Sequence, residues 1–388
     1  MRDPTSSVYS KISESSADNL PSAISPNRRD VLRAGLLFAA SNFVSPANAI
    51  EDGLQTRAAS RGLTFGTAVH SRQLQEDPSF RSAILQECAS VVHEYELKWG
   101  HIERERGRYD FSKTDIVTNF AIEHGLKIRG HTAVWHEALP AWAPEAFRRE
   151  GISVIERHVR SVLKRYSGRI EEWDVVNEAI QNYDNLPNGF RNSLLFQEFG
   201  ATFVVAAFRA AREFDPNVKL VYNDFGIEYD NFRDRARRKA LLPLLRSLRE
   251  EGLIDGFGTQ SHLTAGNPFN PKLLRDFLSE VASMGLSIVV TEFDVNDTKL
   301  DPDIGTRDKA VAEHAKRVLD VILDEKAVTG VLTWGLTDRY TWLNEPRFAR
   351  PAGVRARSLP LDENYKRKPL WEALASCLSA APDRRSRR

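Results

Sequence analysis

The chain has 388 residues, and its 54 lysine and arginine residues nearly balance its 53 aspartate and glutamate residues. This balance argues against a dedicated nucleic-acid-binding protein, which usually carries an excess or a stripe of basic residues. Hydrophobic residues make up 41% of the sequence and charged residues 28%, as in ordinary globular proteins, and no apolar stretch approaches the roughly 20 residues that span a membrane.

The first 49 residues have the composition of a leader rather than of a folded domain. Residues 1–27 are rich in Ser, Asp, Asn and Pro and poor in aromatic residues, so they cannot bury a core. Arg28 and Arg29 precede a short apolar stretch, and residues 47–49, Ala-Asn-Ala, have the pattern of a cleavage site. The paired arginines resemble a twin-arginine signal, so we expect export to the periplasm or the cell exterior and no membrane anchor after processing. The alternative is a disordered leader with a chance arginine pair.

From residue 62 onward, short β-rich runs alternate with longer segments that have apolar residues at helical spacing. Several runs are almost continuously apolar, such as the one at residues 287–290, which is typical of a strand buried on both faces. Residues 201–214 and 310–323 show the clearest helical periodicity. The predicted strands are residues 63–69, 90–94, 127–135, 172–177, 219–223, 256–262, 287–293 and 330–335.

Eight strands, each followed by a helix within about 320 residues, match a (β/α)8 barrel. A doubly wound open sheet is the alternative, but that fold usually has a glycine-rich phosphate loop after its first strand, and residues 65–69 lack one. No internal repeat or linker follows residue 62. We therefore expect an α/β protein with a single catalytic (β/α)8 TIM barrel over residues 50–380 and a basic tail at residues 381–388.

The two cysteines of the sequence, Cys88 and Cys377, show no metal-ligand spacing. The favoured interpretation is two buried thiols or one incidental disulfide, without a metal or redox role. The disulfide is possible because the helices predicted to carry the cysteines are neighbours in a closed barrel and export would permit the bond.

Polar or ionisable side chains follow nearly every predicted strand. In a (β/α)8 barrel the active site forms at the carboxyl ends of the strands, so these side chains are the candidates for a site. In chain order they are Glu94 and Lys98, His131 and His136, Asn177 and Glu178, Asn223 and Asp224, Gln260 and His262, Glu292 and Asp294, and Trp334.

Two carboxylates in this set, Glu178 and Glu292, end the fourth and seventh predicted strands. These strands face each other across the mouth of a barrel, so the two side chains can converge. Glycoside hydrolysis needs two carboxyl groups that flank the scissile bond, one protonated and one ionised near neutral pH. The alternative is a pair of ordinary strand-end glutamates in salt bridges.

Seven short motifs make the chain resemble glycoside hydrolase family 10, the family of endo-β-1,4-xylanases. They occur in the family's order and cover about residues 62–378. The motifs are Glu96-Leu97-Lys98-Trp99, Arg129-Gly130-His131-Thr132-Ala133-Val134-Trp135-His136, Trp173-Asp174-Val175-Val176-Asn177-Glu178-Ala179, Tyr222-Asn223-Asp224, Gln260-Ser261-His262-Leu263, Thr291-Glu292-Phe293-Asp294 and Trp334-Gly335-Leu336-Thr337-Asp338.

The resemblance implies a retaining mechanism in which Glu178 is the general acid/base and Glu292 the nucleophile. Asn177 would bond the sugar 2-hydroxyl, a contact that strengthens in the transition state. Asp294 would orient His262, which would hydrogen-bond the nucleophile and favour its charged form. A core histidine is the alternative for His262.

The resemblance also implies a set of substrate-binding residues, in which indole rings provide faces for sugar C–H groups. These are Glu94, Lys98, His131, Trp135, Asn223, Gln260, Trp334 and Trp342. No histidine pair has the spacing of a metal-ligand motif, so we expect no metal and no cofactor. We interpret Trp99, Trp142, Trp173 and Trp371 as structural.

Three positions depart from the family pattern. Tyr95 and Ala138 replace an asparagine and a glutamine that normally contact the second sugar on the non-reducing side, and Gly226 replaces another common asparagine. Recognition of sugars away from the cleavage point is therefore expected to differ. The loop at residues 344–359 carries four arginines that could meet an acidic substituent, although a solvated basic loop is the favoured interpretation.

The leading hypothesis is a monomeric, retaining endo-β-1,4-xylanase that acts on β-1,4-xylan or a related polysaccharide. A near alternative is the same mechanism on another β-1,4-linked glycan or on a short oligosaccharide. A non-catalytic carbohydrate-binding barrel and a metal-dependent hydrolase are alternatives from other classes. The presence of both Glu178 and Glu292 argues against the first of these, and the histidine spacing argues against the second.

Overall fold

The computed structural model describes residues 52–350 and 353–385. The predicted leader at residues 1–49, with its twin-arginine pattern, lies outside the described residues, as do the last three residues of the predicted tail. The strands are β1 (Thr64–Val69), β2 (Ser90–His93), β3 (Lys127–Trp135), β4 (Glu172–Asn177), β5 (Lys219–Asp224), β6 (Gly256–Thr259), β7 (His262–Thr264), β8 (Ser287–Asn296) and β9 (Val328–Thr333).

Helices alternate with these strands along the chain. They are α1 (Leu54–Ala59), α2 (Ser71–Glu76), α3 (Pro78–Glu87), α4 (Trp99–Ile102), α5 (Ser112–Glu123), α6 (Ala143–Glu150), α7 (Ser153–Tyr166), α8 (Leu194–Phe199), α9 (Thr202–Phe214), α10 (Phe232–Glu250), α11 (Pro271–Ser283), α12 (Ile304–Asp324) and α13 (Pro369–Ala380). Within residues 52–350 and 353–385, no helix combines the length and the apolar character needed to cross a membrane.

Eight strands close into a ring of parallel neighbours. The pairing runs from β1 through β6 in chain order, then from β6 to β8 and from β8 to β9. The ring closes where β1 pairs with β9, with Thr64 opposite Gly330. The short strand β7 pairs with β8 beyond the end of β6. The predicted (β/α)8 TIM barrel is therefore confirmed.

The apolar runs of the sequence account for two layers of core. Helix α9 buries a stripe that includes Phe203, Ala207 and Phe208, as expected for an amphipathic helix against a sheet. Inside the barrel, a smaller cluster contains Val92, Val289 and other aliphatic residues, and Trp334 covers it at the carboxyl end. A cavity of about 110 Å³ lies at the amino ends of the strands, and a larger one of about 530 Å³ lies at their carboxyl ends.

The sixth predicted strand, residues 256–262, is interrupted in the structure. Ser261 has a φ of +55°, in the left-handed region, so β6 ends at Thr259 and β7 starts at His262. The hydroxyls of Thr259 and Ser261 each donate to the buried Glu228 carboxylate at 2.9 Å. The interruption brings His262 opposite Asp294 of β8.

Cys88 and Cys377 are both buried free thiols, so of the two alternatives left open by the sequence the structure has the thiols and not the disulfide. Cys377 lies on α13 with its Sγ 3.2 Å from Asp320 Oδ1. Burial and this acidic neighbour raise the pKa of the Cys377 thiol to about 12.

Beyond α13, the Arg384 amide donates to the Arg61 carbonyl at 3.0 Å, so the described part of the tail returns to the barrel.

Candidate active site

A cavity of about 530 Å³ opens at the carboxyl ends of the barrel strands. It is lined by ten of the thirteen residues to which the family resemblance gives a catalytic, supporting or substrate-binding role: Lys98, His131, Trp135, Asn177, Glu178, Gln260, His262, Glu292, Trp334 and Trp342. The other three, Glu94, Asn223 and Asp294, are buried behind this lining. The contact of Glu94 and Asn223 with substrate that the resemblance implies therefore stays a prediction.

Glu292, near the middle of β8, is held by side chains from three other strands. Its Oε1 accepts from Asn223 Nδ2 at 2.7 Å, its Oε2 lies 3.2 Å from His262 Nε2, and His131 Nδ1 lies 4.0 Å from Oε1. Burial would raise the pKa of Glu292, but His131, the bonded His262 and Lys98 outweigh it and lower that pKa to about 2. The carboxylate is therefore ionised at any ordinary working pH.

His262 connects Glu292 to Asp294, two residues further along β8. Its Nδ1 lies 3.0 Å from Asp294 Oδ1, while Asp294 Oδ2 accepts from Trp342 Nε1 at 2.6 Å. Burial would lower the pKa of His262, but the charge and hydrogen bond of Asp294, with those of Glu292, raise it to about 10. A charged imidazolium therefore lies between two carboxylates, and His262 lies between Asp294 and Glu292 as the resemblance implies.

Another histidine of the site, His131, is buried and is held by Asp174 of β4. His131 Nδ1 lies 3.0 Å from Asp174 Oδ2, and the same carboxylate accepts from Arg129 Nη2 at 2.5 Å. Asp174 lies within one of the seven motifs, but the motif alone gave it no role. A charged residue within an otherwise apolar buried strand was the signal that could have identified it, because such a charge needs a partner.

Glu178 directly follows β4 and has a φ of +57°, which is uncommon for a residue with a side chain. Its Oε1 accepts from Gln260 Nε2 at 2.9 Å and from Asn177 Nδ2 at 3.2 Å, and its Oε2 accepts from Trp135 Nε1 at 3.1 Å. Neutral donors therefore dominate the hydrogen bonding of this carboxyl group, whereas Glu292 is held beside cationic side chains.

A chain of amides connects the two carboxylates. Asn177 Oδ1 accepts from Asn223 Nδ2 at 2.9 Å and from Gln260 Nε2 at 3.2 Å. Asn223 also bonds Glu292, while Gln260 bonds Glu178. Asn223 is thus a positioning residue that is fully buried, and the relative placement of both carboxylates depends on this network.

Arg191 was not identified from the sequence. Its Nε donates to the backbone carbonyl oxygen of Glu178 at 2.8 Å, and its Nη2 lies 3.7 Å from Glu178 Oε2. It is located thirteen residues beyond Glu178 in an irregular segment before α8. No local pattern marks such a contact, because it depends on how the loop folds back over the strand end.

Lys98 projects an ammonium group between aromatic rings. Its Nζ lies 4.6 Å from the ring centre of Trp135, 4.8 Å from that of Tyr95 and 5.7 Å from that of Trp334. Burial lowers the pKa of Lys98, opposed by the charges of nearby carboxylates. Burial also raises the pKa of the adjacent Glu94 to about 8, against the opposing effect of Lys98.

The residues that depart from the family pattern are located around the cavity. Tyr95 and Ala138 line it, together with Arg347 and Phe348 from the arginine-containing loop. Gly226, at φ +67°, instead lines an adjoining cavity of about 550 Å³. The two cavities share Phe225 and His262, so together they form a continuous cleft across the barrel mouth.

The favoured interpretation of residues 344–359 as a solvated basic loop is wrong for two of its arginines. Arg350 is buried and donates to the carbonyl oxygens of Asp297 and Leu300, and Arg357 forms a two-pronged pair with Asp308 at 2.7 Å. The partners come from other segments of the chain. Arg347 is the one that reaches the active-site cavity among the described residues of this loop.

Within the described part of the chain, no three His, Cys, Asp or Glu side chains are grouped so that they could hold a metal ion. The buried acidic and basic groups of the site are instead paired with one another. The arrangement supplies two carboxyl groups in different surroundings, donors for hydroxyl groups and indole faces in one cleft.

Comparison with known proteins agrees with this geometry. Residues 53–377 match Glycosyl hydrolase family 10. The chain is 34% identical to endo-1,4-beta-xylanase B of Thermotoga neapolitana over 282 residues, which cover 72% of this chain and 77% of that one. It is 33% identical to a beta-1,4-xylanase of Dictyoglomus thermophilum, with 80% of this chain and 87% of that one covered.

Solved structures show the same similarity. Native xylanase 10B from Thermotoga maritima aligns with a TM-score of 0.75 at 31% identity, covering 84% of this chain and 98% of that one. Xylanase 10B from Thermotoga petrophila RKU-1, solved in complex with xylobiose, aligns with a TM-score of 0.75 at 30% identity, with 84% and 97% covered. The resemblance seen in the sequence motifs is confirmed: this chain belongs to glycosyl hydrolase family 10.

Proposed function

We propose that this protein is a retaining endo-β-1,4-xylanase that hydrolyses xylan through a covalent glycosyl-enzyme intermediate. The observation that carries the proposal is the pair Glu178 and Glu292, which line one cavity in different electrostatic surroundings. Glu292 is held ionised by His262 and its other neighbours, with a pKa of about 2. Relatives named as xylanases, and a similar structure solved with xylobiose, support xylan as the substrate.

In the first step of the proposed mechanism, the Glu292 carboxylate forms a bond to the anomeric carbon. The bond between that carbon and the glycosidic oxygen breaks, and the Glu178 carboxyl group gives its proton to the departing oxygen. In the second step, Glu178 takes a proton from water as the water oxygen attacks the same carbon and releases Glu292. Two inversions give net retention.

The remaining side chains of the cavity position the sugar and stabilise charge. All three of Asn177, Lys98 and His131 line the cavity. In the proposed complex Asn177 bonds the 2-hydroxyl, and Lys98 and His131 donate to hydroxyls next to the cleavage point. Trp334 and Trp342 offer indole faces to the sugar rings. Asn223 and Asp294 act from behind, through Glu292 and His262.

The adjoining cavity extends the cleft on the side of Phe225 and is the place for the part of the chain that leaves. Tyr183 and Phe232 expose aromatic rings there, at 45% and 72% of their surfaces. The cleft therefore has room for several sugars on the leaving side of the carboxylates, which supports cleavage of a chain rather than hydrolysis of a single-sugar glycoside.

The test is a comparison of xylan with mixed-linkage glucan and soluble cellulose, with the anomeric configuration of the first product followed by NMR. We expect xylan to be the preferred polymer and the β-anomer to form first. The variants Glu178→Gln and Glu292→Gln should lose activity, whereas Glu145→Gln, on the exposed face of α6, is the matched control. Preference for a glucan would favour the alternative substrate, which Tyr95 and Ala138 allow, and first release of the α-anomer would overturn the retaining mechanism.

We also propose that the enzyme is exported by the twin-arginine route and acts as a monomer. Export is supported by the Arg28-Arg29 pair with the cleavage-like residues 47–49, and by a polymeric substrate that stays outside the cell. Replacing both arginines by lysine should block export, so that the xylanase activity is found inside the cell. Light scattering of the purified enzyme measures its oligomeric state, and a stable dimer would contradict the proposal that it acts as a monomer.

A further inference from the structure

Tyr95 and Glu345 connect two loops that are far apart in sequence. The hydroxyl of Tyr95, in the loop after β2, lies 3.2 Å from Glu345 Oε1, in the loop after β9. Strand β1 lies between β2 and β9 in the barrel, so this contact passes over the carboxyl end of β1. Burial and the acidic neighbours Glu94 and Glu345 raise the pKa of the Tyr95 phenol, so its hydroxyl remains a donor.

The Tyr95 ring is also a partition between two open spaces. Tyr95 and His101 both line the active-site cavity of about 530 Å³ and a neighbouring cavity of about 400 Å³, which extends to His70 and Arg104. The ring centres of Tyr95 and His101 are 6.3 Å apart. A chain that leaves the active site in this direction must therefore pass Tyr95.

Contacts within the loop after β9 hold Glu345 in its position next to Tyr95. Arg347 Nε lies 3.7 Å from Glu345 Oε2, and its guanidinium lies 4.5 Å from the ring centre of Phe348. Phe348 in turn packs edge-on against Trp342 at 4.3 Å. Both Arg347 and Phe348 line the active-site cavity, so the bridge is continuous with the cavity wall.

We propose that the Tyr95–Glu345 bridge limits the glycone side of the cleft and biases cleavage toward the non-reducing end of short xylan chains. The inference rests on the proposed function, and on Tyr95 lying where the active-site cavity meets the neighbouring cavity of His70 and Arg104, whereas the leaving part of the chain is assigned to the cavity of Phe225. Sugars bound beyond Tyr95 meet the bridge. The preferred substrate is then a xylo-oligosaccharide whose non-reducing end lies against Tyr95, and interior cuts in long xylan are slowed because they require the bridge to open.

The experiment measures bond-cleavage frequencies on xylohexaose labelled at its reducing end. Wild-type enzyme should release mainly the shortest unlabelled products. Tyr95→Phe, which keeps the ring and removes the hydrogen bond, and Glu345→Ala should each move cleavage toward the middle of the chain and change the ratio of end to middle cuts by at least about threefold. Tyr95→Asn should change it most, because it removes the ring as well. Glu313→Ala, on the exposed face of α12, is the matched control.

Cellohexaose is assayed in parallel, so that a failure of the xylan assignment can be told apart from a failure of the bridge proposal. Cleavage of cellohexaose alone would overturn the xylan assignment, while the cleavage pattern would still decide on the bridge. Wild-type enzyme that cuts the middle bonds of the hexasaccharide most often would overturn the bridge proposal, and so would unchanged frequencies in all three bridge variants. Melting curves confirm that each variant is folded, and Tyr95→Phe keeps the test decisive if the larger substitutions unfold the loop.

Discussion

Arg191 holds Glu178 at two points, with its Nε donating to the backbone carbonyl oxygen at 2.8 Å and its Nη2 lying 3.7 Å from the carboxylate. Glu178 needs this support because its φ of +57° costs a residue with a side chain about 1–2 kcal/mol. The arginine thus fixes both the backbone and the side chain of the proposed acid/base.

Replacing Arg191 by methionine should lower kcat/KM on xylan about tenfold or more, since general acid catalysis contributes about 10²–10⁴-fold and depends on position. The loss should be smaller on an aryl xylobioside with a very good leaving group, which needs little proton donation. Arg235→Met, at an exposed ion pair on α10, is the control. Equal losses on both substrates would show that Arg191 acts on something other than proton transfer.

Glu292→Ala should lower activity by more than about 10⁴-fold, because the reaction loses the group that attacks the anomeric carbon. With an activated aryl xylobioside, added azide should restore part of the activity and give the α-glycosyl azide, since the small anion fills the space of the missing carboxylate. Glu178→Ala with azide should give the β-glycosyl azide instead. NMR of the products checks both, and exchange of the two outcomes would reverse the assigned roles.

His262→Gln should move the acidic limb of the kcat/KM profile to higher pH. The charged His262 helps to lower the pKa of Glu292 to about 2, and the nucleophile works only when ionised, so activity is lost as pH falls through that pKa. Without the cation, the pKa of Glu292 rises and the loss begins at higher pH, by about one to two pH units. His124→Gln, at the exposed position directly after α5, is the control. An unchanged acidic limb would exclude this electrostatic role.

Glu94→Gln should stabilise the fold increasingly as pH rises. Burial raises the pKa of Glu94 to about 8, above its ordinary value of 4.5, so the folded protein keeps a proton that the unfolded chain releases. The free energy of unfolding therefore falls between these two pH values, by at most about 1.4 kcal/mol per pH unit, and the glutamine variant lacks this loss. Urea unfolding across this range measures the difference, with the exposed Glu105→Gln as control. A difference that does not change with pH would contradict the assignment.

The strands were predictable because their signal is local. Strands β3 and β4 begin and end where the sequence indicates, since β-branched and aromatic residues are frequent in each and charged or polar residues lie at or next to their ends. The break before β7 was not predictable, because Ser261 depends on Glu228, which lies 33 residues away and is buried. Such an interruption requires a tertiary partner that no sequence window contains.

In the site, too, residues with a local sequence signal were predictable and contacts between distant segments were not. Glu178 and Glu292 were identified from strand ends and motifs, but the burial of Asn223 and the contacts of Arg191 depend on how neighbouring strands and loops meet. The bridge from Tyr95 joins residues 250 positions apart. Arg350 and Arg357 were expected in solvent because their acidic partners are far along the chain.

The closure of the barrel between β1 and β9 has a consequence for how the enzyme gains activity. Thr333 Oγ1 donates to Thr67 Oγ1 at 3.0 Å across 266 positions of sequence, so this seam forms only after nearly the whole domain has been made. The cavity takes side chains from strand ends all around the ring, including Trp334 directly after β9. Long-range pairing of this kind is slow compared with helix formation. Hydrolytic activity recovered during refolding should therefore lag behind the helical signal, and it reports when the two ends of the barrel have met.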